Sequence, residues 1–322
     1  MAMTRFFVWM FPFSLMVLGA GAACGQNYPN KSIRIVTSEV GGGSDLGARI
    51  IAQGISGPLG QPVIVENRGG IIITSALIVA KARPDGYSLY YNGANVWLLP
   101  FMQDNVPYDP VKDFSPISLT VRAPVVLVVH PSFQANSVKD LIALAKAKPG
   151  GLNYASGVSG SSGHLAMEFF KVRAGVNIVR IAYKGTSPAL NAVIAGEAPV
   201  QFANGSAAVP HVKSGRLRAL AVASAEPSDL LPGLPTAAAS GLPGFLMEQR
   251  QGIWAPAETP ATVIQQLNQE IVRVLNRTEV KERFRNSGTE VVGSSPQEFA
   301  AAIKFDMDGL GKVIKSLGIS GE

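Results

Sequence analysis

The chain has 322 residues, enough for about two domains of ordinary size. At 47% hydrophobic and 16% charged it is too apolar for intrinsic disorder, and its one cysteine excludes a disulfide framework and any cysteine-rich zinc site. The 28 Lys and Arg against 22 Asp and Glu leave a net charge of +6, which favours anionic ligands weakly and, without a clustered basic face, is no nucleic-acid signature. With three histidines, neither a metal site nor any other cofactor is expected.

The first element in chain order is a targeting segment. Arg5 precedes an apolar run over 6–18 and small residues over 19–23, the layout of a secretory signal peptide spanning 1–23. The run is too short for the ~20 residues of a membrane span. Cys24 stands where a lipoprotein cysteine would, but Gly21 occupies the place where a lipobox usually carries Leu, so a lipid anchor is the lesser alternative. An exported product follows, soluble or at most lipid-tethered.

Short apolar strands then alternate with amphipathic helices. Strands are predicted at 32–37, 62–66, 88–92, 117–121, 125–130, 152–155, 178–182, 200–203, 218–224 and 252–255. Ser137 with Asp140 and Ser295 with Glu298 read as capping boxes, and Pro188 and Pro260 as first helical residues. Val263, Ile264, Leu267, Ile271, Val274 and Leu275 recur at helical spacing and predict one buried face. Helix stops fall at 148–150 and at Gly196.

Alternation of this kind predicts an α/β fold with a mostly parallel sheet. No Ser/Pro-rich linker divides the chain, so two domains would be joined by strands that cross between them, the candidates being 117–128 and 218–224. One lobe then comprises 24–123 and 224–322, and the other 124–223.

Two glycine- or serine-rich loops carry the functional reading. Glu39, Val40, Gly41, Gly42, Gly43 and Ser44 lie between the first strand and a helix starting near Asp45. Consecutive glycines allow close approach of backbone to ligand, and free amides at a helix start attract anions. The same pattern also fits a tight turn with Ser44 as N-cap. It has neither the Lys-Ser/Thr of a P-loop nor a G-x-G-x-x-G order.

The second loop, with Ser156, Ser159, Ser161, Ser162 and His164, follows a strand and opens a helix running to Gly175. Two such loops from opposite halves could close on one anion. The rival is a secreted serine hydrolase using one of these serines with His164, but no G-x-S-x-G elbow is present and a histidine so soon after the serine points along the helix.

Softer candidates complete the set. Lys184 and Gly185 again join a strand to a helix start, Lys184 either neutralising an anion or standing in solvent. Ala203 and Asn204 end another strand, where Asn204 either binds a ligand or makes a turn. Asn95 and Trp97 either stand at a cleft mouth or, for Trp97, pack in the core. Glu39 beside an anion cradle must point away, pair with a cation, or read a donor on the ligand.

Several spaced motifs, in order, are similar to a known family. They are residues 28–36, 60–68, 84–87, 106–110 with Asp113 and Phe114, 152–156, 183–185 and 210–220. From Tyr28 to about Ile319 the chain resembles the Bug or TctC family, the extracytoplasmic solute receptors of tripartite tricarboxylate transporters. The resemblance implies a two-lobed α/β periplasmic binding protein of the type II, Venus-flytrap class, its lobes joined by crossing strands. It also implies a monomer that captures a small organic carboxylate and hands it to membrane permease subunits. The loops at Val40 to Ser44 and Ser156 to His164 would hold the ligand's carboxylate, and the hinge would lie near 122–124 and 222–224. Ser38, Glu39 and Val40 depart from the family's uncharged Pro-rich stretch, and Ala203-Asn204 from its usual Asp-Asn pair; both departures bear on the ligand rather than the architecture.

Overall fold

A computed structural model describes residues 28–37, 40–41, 43–68, 72–157 and 159–319. The proposed signal peptide, Cys24, Ser38, Glu39 and Gly42 lie outside the described residues.

The first half of the chain lays down β1 (Ile33–Thr37), α1 (Gly43–Leu59), β2 (Val63–Asn67), α2 (Ile72–Ala80), β3 (Ser88–Gly93), α3 (Asn95–Met102) and the long β4 (Phe114–Val129). There follow α4 (Val138–Ala147), β5 (Asn153–Ser156), α5 (Ser162–Ala174), β6 (Val179–Ala182), α6 (Thr186–Ala195), β7 (Val200–Asn204), α7 (Gly205–Lys213) and β8 (Arg218–Val222). The return comprises β9 (Glu248–Pro256), α8 (Ala261–Leu275), α9 (Thr278–Asn286), β10 (Glu290–Val291), α10 (Pro296–Asp306), a π-helical turn (Met307–Gly311) and α11 (Lys312–Ser316).

The strands run β2-β1-β3-β9-β4-β7-β5-β6 across two halves that share β4. The sheet is mixed rather than mostly parallel: β1 is parallel to β2 and β3, and β5 to β6 and β7, but β9 and β4 are antiparallel to every neighbour they have. The reason is connection length. Each parallel pair is bridged by a helix, as parallel pairing requires, whereas β9 comes back from the far half and enters against the direction of β3.

The two strands expected at 117–121 and 125–130 are one. Residues 114–124 of β4 pair with β9, and from Val125 onward the partners are β7 and β8. Of the stretch expected to cross at 218–224, β8 stops at Val222, pairs with the far end of β4, and through Val222 bridges Thr236. Leu231 and Leu234 join the apolar cluster beneath β7, and Phe245 stacks on Phe202, 5.7 Å between ring centres. The amide of Met247 bonds to Ala223 O, and β9 starts at Glu248.

Helix α8 buries the six residues its spacing marks, Val263, Ile264, Leu267, Ile271, Val274 and Leu275. At about 1.5–3 kcal/mol per large aliphatic side chain, that face anchors it to the sheet. Ser295 and Glu298 form the reciprocal capping box; at α4, Ser137 caps Asp140 N–H, but the Asp140 carboxylate accepts from Asn136 instead. Pro260 sits at the N-cap of α8 and Pro188 at the third position of α6, each close to its expected place. Beneath β9, Trp254 packs against Trp97, Tyr90 and Phe299. No helix among the described residues is long and apolar enough to cross a membrane.

Candidate functional site

The turn after β1 is closed by Asp45, not Ser44. Helix α1 begins at Gly43, two residues before the expected start, and the buried Asp45 carboxylate accepts Gly41 N–H at 2.9 Å. Asn67 Nδ2 at 2.8 Å and Arg49 Nε at 2.9 Å hold that carboxylate in place. Burial works to raise its pKa, but the bonds from Arg49, Gly41 and Asn67 outweigh it and hold the carboxyl below its ordinary range. One amide of the expected cradle is thus occupied by the protein's own anion. Gly41 takes a left-handed φ of 79°, which favours glycine at that position. Val40 is exposed, and a Cβ on Gly43 would come within 3.0 Å of Gln251 Nε2, so β9 runs close beneath this loop.

The serine-rich loop is braced by charge and burial. Arg180 donates to Ser156 Oγ at 2.7 Å and to Gly157 O at 2.8 Å, and Ser156 is buried. Gly160 N–H donates to His164 Nδ1 at 3.1 Å. Burial, reinforced by the charges of Arg180 and Lys171 against the opposing Glu168, lowers the His164 pKa to about 4, so the ring is neutral and its proton sits on Nε2. With the Nδ1 lone pair used on the backbone, His164 is a fastener for the loop rather than a base.

Ser161 is the N-cap of α5, yet its Oγ is buried with no partner and makes no capping bond. Ser162 Oγ donates to Asn204 Oδ1 at 2.9 Å and accepts from Gln249 Nε2 at 3.1 Å. Gly163 lets α5 lie directly on β7: a Cβ there would be 2.3 Å from Phe202 O.

Both loops reach a single cleft of about 310 Å³. Its walls come from Ser44, from the β3–α3 junction with Asn92, Asn95, Leu98 and Met102, from Ser161, Ser162 and Leu165, and from residues 247–251 of the return strand. Of the expected residues, Ser44, Asn95, Ser161 and Ser162 line it. Val40, Gly41 and Ser159 sit in the flanking loops, Gly43 opens α1, and Asn204 stands behind Ser162.

Four expected residues are structural instead. Trp97 is wholly buried and donates its indole N–H to Asp306 at 3.1 Å. Ala203 is buried in β7 opposite Val126, and Ser156 and His164 are committed as described. Lys184 is exposed and stands outside the cleft lining; Gly185 is the N-cap of α6, its carbonyl accepting Ala189 N–H.

Four residues that sequence reasoning passed over matter most, Glu248, Gln249, Arg250 and Gln251. The only sequence signal for them is a polar run ahead of an apolar strand. Gln251 accepts from Tyr91 OH at 3.2 Å. Arg250 pairs with Glu248 at 3.1 Å and with Asp306, while Arg122 reaches Glu290 at 3.1 Å and Glu248 at 3.6 Å. Burial holds the Asp306 pKa above its ordinary value although Arg250 and Trp97 stabilise the anion. Among the described residues no group of three His, Cys, Asp or Glu side chains is placed to hold a metal.

Two half-sheets that share β4 and a cleft lined from both define the class: a two-lobed α/β solute-binding protein. The sequence model of the tripartite tricarboxylate transporter family receptor, TctC, matches residues 47–319. The chain belongs to that family, which is one of receptors and not of enzymes.

Relatives and solved structures agree. Protein BugT of Bordetella pertussis is 34% identical over 305 residues, 93% of each chain. A UPF0065 protein of a Pseudomonas strain, from the tcbD-tcbE intergenic region, is 34% identical over 89% of this chain and 86% of its own. R. palustris Rpa4515, solved with adipate, has a TM-score of 0.71 at 33% identity and covers 91% of this chain and 99% of its own. MatC from Rhodopseudomonas palustris, solved with bound malate, has 0.66 at 28% over 89% and 100%. A TctC solute binding protein from Polaromonas reaches 0.84 at 21% identity over 90% and 99%, a likeness of fold alone.

Proposed function

We propose that the protein captures a small organic carboxylate in this cleft, without chemically altering it, and presents it to the membrane subunits of a tripartite transporter. The observation that carries the reading is Ser161: an N-cap hydroxyl, buried and unpartnered, at the start of a helix that opens into the cleft opposite Ser44. Helix N-terminal amides and a free hydroxyl suit a carboxylate, and a charge-assisted hydrogen bond contributes about 1.5–3 kcal/mol. The adipate and malate held by solved relatives support the same ligand class.

The lobes are read as 28–124 with the chain after Met247, and 125–247 between them. The change of β4 partners at Pro124 and Val125 supports a hinge there, and the packing of 231–245 supports a return hinge at Met247 rather than near Ser224. Closure would be driven by the ligand's higher affinity for the closed state. Export through the signal peptide, a periplasmic location and a monomeric state complete the reading.

A thermal-shift panel of carboxylates, amino acids and neutral analogues tests it. A carboxylate at 100 times its Kd adds about 2.7 kcal/mol of stability. Ser161→Ala should weaken that ligand by about tenfold, the worth of one charge-assisted bond. A panel in which only neutral compounds shift the melt would overturn the reading.

A further inference from the structure

We infer that Ser228 and Glu290 form an interlobe clasp, on the edge of β4 away from the cleft, that opposes closure and lowers the affinity for every ligand, an inference that rests on the two-lobed carboxylate reading above. Arg122 of β4 has a strand on each side, pairing with Arg250 of β9 and with Glu290 of β10. These two strands therefore occupy opposite edges of β4. The cleft belongs to the β9 edge, where Gln249 donates to Ser162 of the other lobe at 3.1 Å and both line the cavity. No residue of β10 lines it.

The lobes also touch along the β10 edge. Glu290 accepts Arg122 Nε on one carboxylate oxygen at 3.1 Å and the Ser228 hydroxyl on the other. Ser228 is buried and goes with the second lobe: its carbonyl accepts Leu231 N–H, and Leu231 lies in the apolar cluster beneath β7. In the first lobe, Gly288 takes a left-handed φ of 75° and lies so close to Ser206 of the second that a Cβ on it would collide there. Arg285 and Asp229 stand 3.6 Å apart at the exposed rim of this contact. Bringing the cleft walls together bends β4 toward its β9 edge and parts the lobes along the other edge. Each contact there is then given up to water as the ligand is engulfed. The apparent affinity is the intrinsic one scaled by the fraction of molecules that are closed, so these contacts weaken all ligands by one common factor.

Calorimetric titration of the mature protein, well below its melting temperature, with succinate, adipate, malate and benzoate tests the clasp. Ser228→Ala removes its hydroxyl and should tighten each acid that binds by about tenfold, the factor set by one hydrogen bond to a charged group. Ser228→Thr, which keeps a hydroxyl, should restore the parent affinity. Asp229→Lys, at an exposed position, sets two cations against each other and should tighten binding about threefold at low salt but not at high salt. A part played only in overall stability would lower the melting temperature and leave these affinities untouched. Should Ser228→Ala fail to fold, Asp229→Lys decides. Unchanged or weaker binding in either folded variant, or a factor that differs from acid to acid, overturns the clasp and leaves the carboxylate reading standing. Failure of every acid to bind the parent removes both.

Discussion

A histidine that closely follows three serines invites a nucleophile-and-base reading, and the atoms of His164 argue otherwise. Its Nδ1 accepts a backbone N–H, and burial lowers its pKa to about 4. In the unfolded chain the ring titrates at 6.5, so between those values the unfolded state binds the extra proton. Stability from this group is complete above pH 6.5 and is lost as pH falls toward 4, by on the order of 3 kcal/mol. Denaturant melts at pH 7.5 and 4.5 should show that His164→Asn, which keeps an acceptor but cannot titrate, loses less stability on acidification than the parent. Equal losses would mean the ring is solvated and already protonatable. Asp45 and Trp97 show the same limit of single-residue reading. Asp45 follows Ser44 in a pattern that fits either as the turn's acceptor, and only Asn67 and Arg49 select the aspartate. Trp97 finds its partner Asp306 on a helix 209 residues away.

Among the elements, α5 is the one on which the site depends. Its stop at Ala174 before a left-handed Gly175 was legible, as was the glycine-rich start. What was not legible is why Gly163 is there: the helix needs backbone contact with β7 to bring Ser161 and Ser162 to the cleft. Gly163→Ala should therefore cost about 1–3 kcal/mol through overpacking and also weaken ligand binding, both readable from one thermal-shift experiment with and without ligand. Unchanged stability would show that α5 does not sit tightly on Phe202. Helix α8 is the opposite case, since its whole buried face could be read from spacing because an amphipathic helix on a sheet writes its period into the sequence. Strand β9 could be read only from Gly252, for its first four residues are polar. They are strand because β4 pairs with them, a long-range cause that no local window contains.

Across the whole molecule, a network of buried and half-buried charges ties the return strand to distant elements: Arg250 on β9 to Asp306 on α10, Asp306 to Trp97 on α3, and Arg122 on β4 to Glu290 on β10. Asp306→Leu takes one of two carboxylate partners from buried Arg250 and the acceptor from Trp97, so it should cost about 3 kcal/mol. Arg250→Met should cost less in that background than alone, because its pair with Asp306 is already gone while Glu248 loses a partner in either case. Chemical denaturation of the two single variants and the double measures the coupling, and strictly additive losses would show that the charges act independently.

The sequence by itself determined the alternation of strands and helices, the α/β class, the buried faces and the two loops with their anion-friendly backbone, because these follow from local periodicity, capping and turn chemistry. Only the tertiary structure decided which residues of those loops line the cleft, that Glu248 to Gln251 line it too, and that Glu248 and Arg250 pair there. Those outcomes depend on contacts between residues more than a hundred positions apart, such as Tyr91 with Gln251, and no local pattern encodes them.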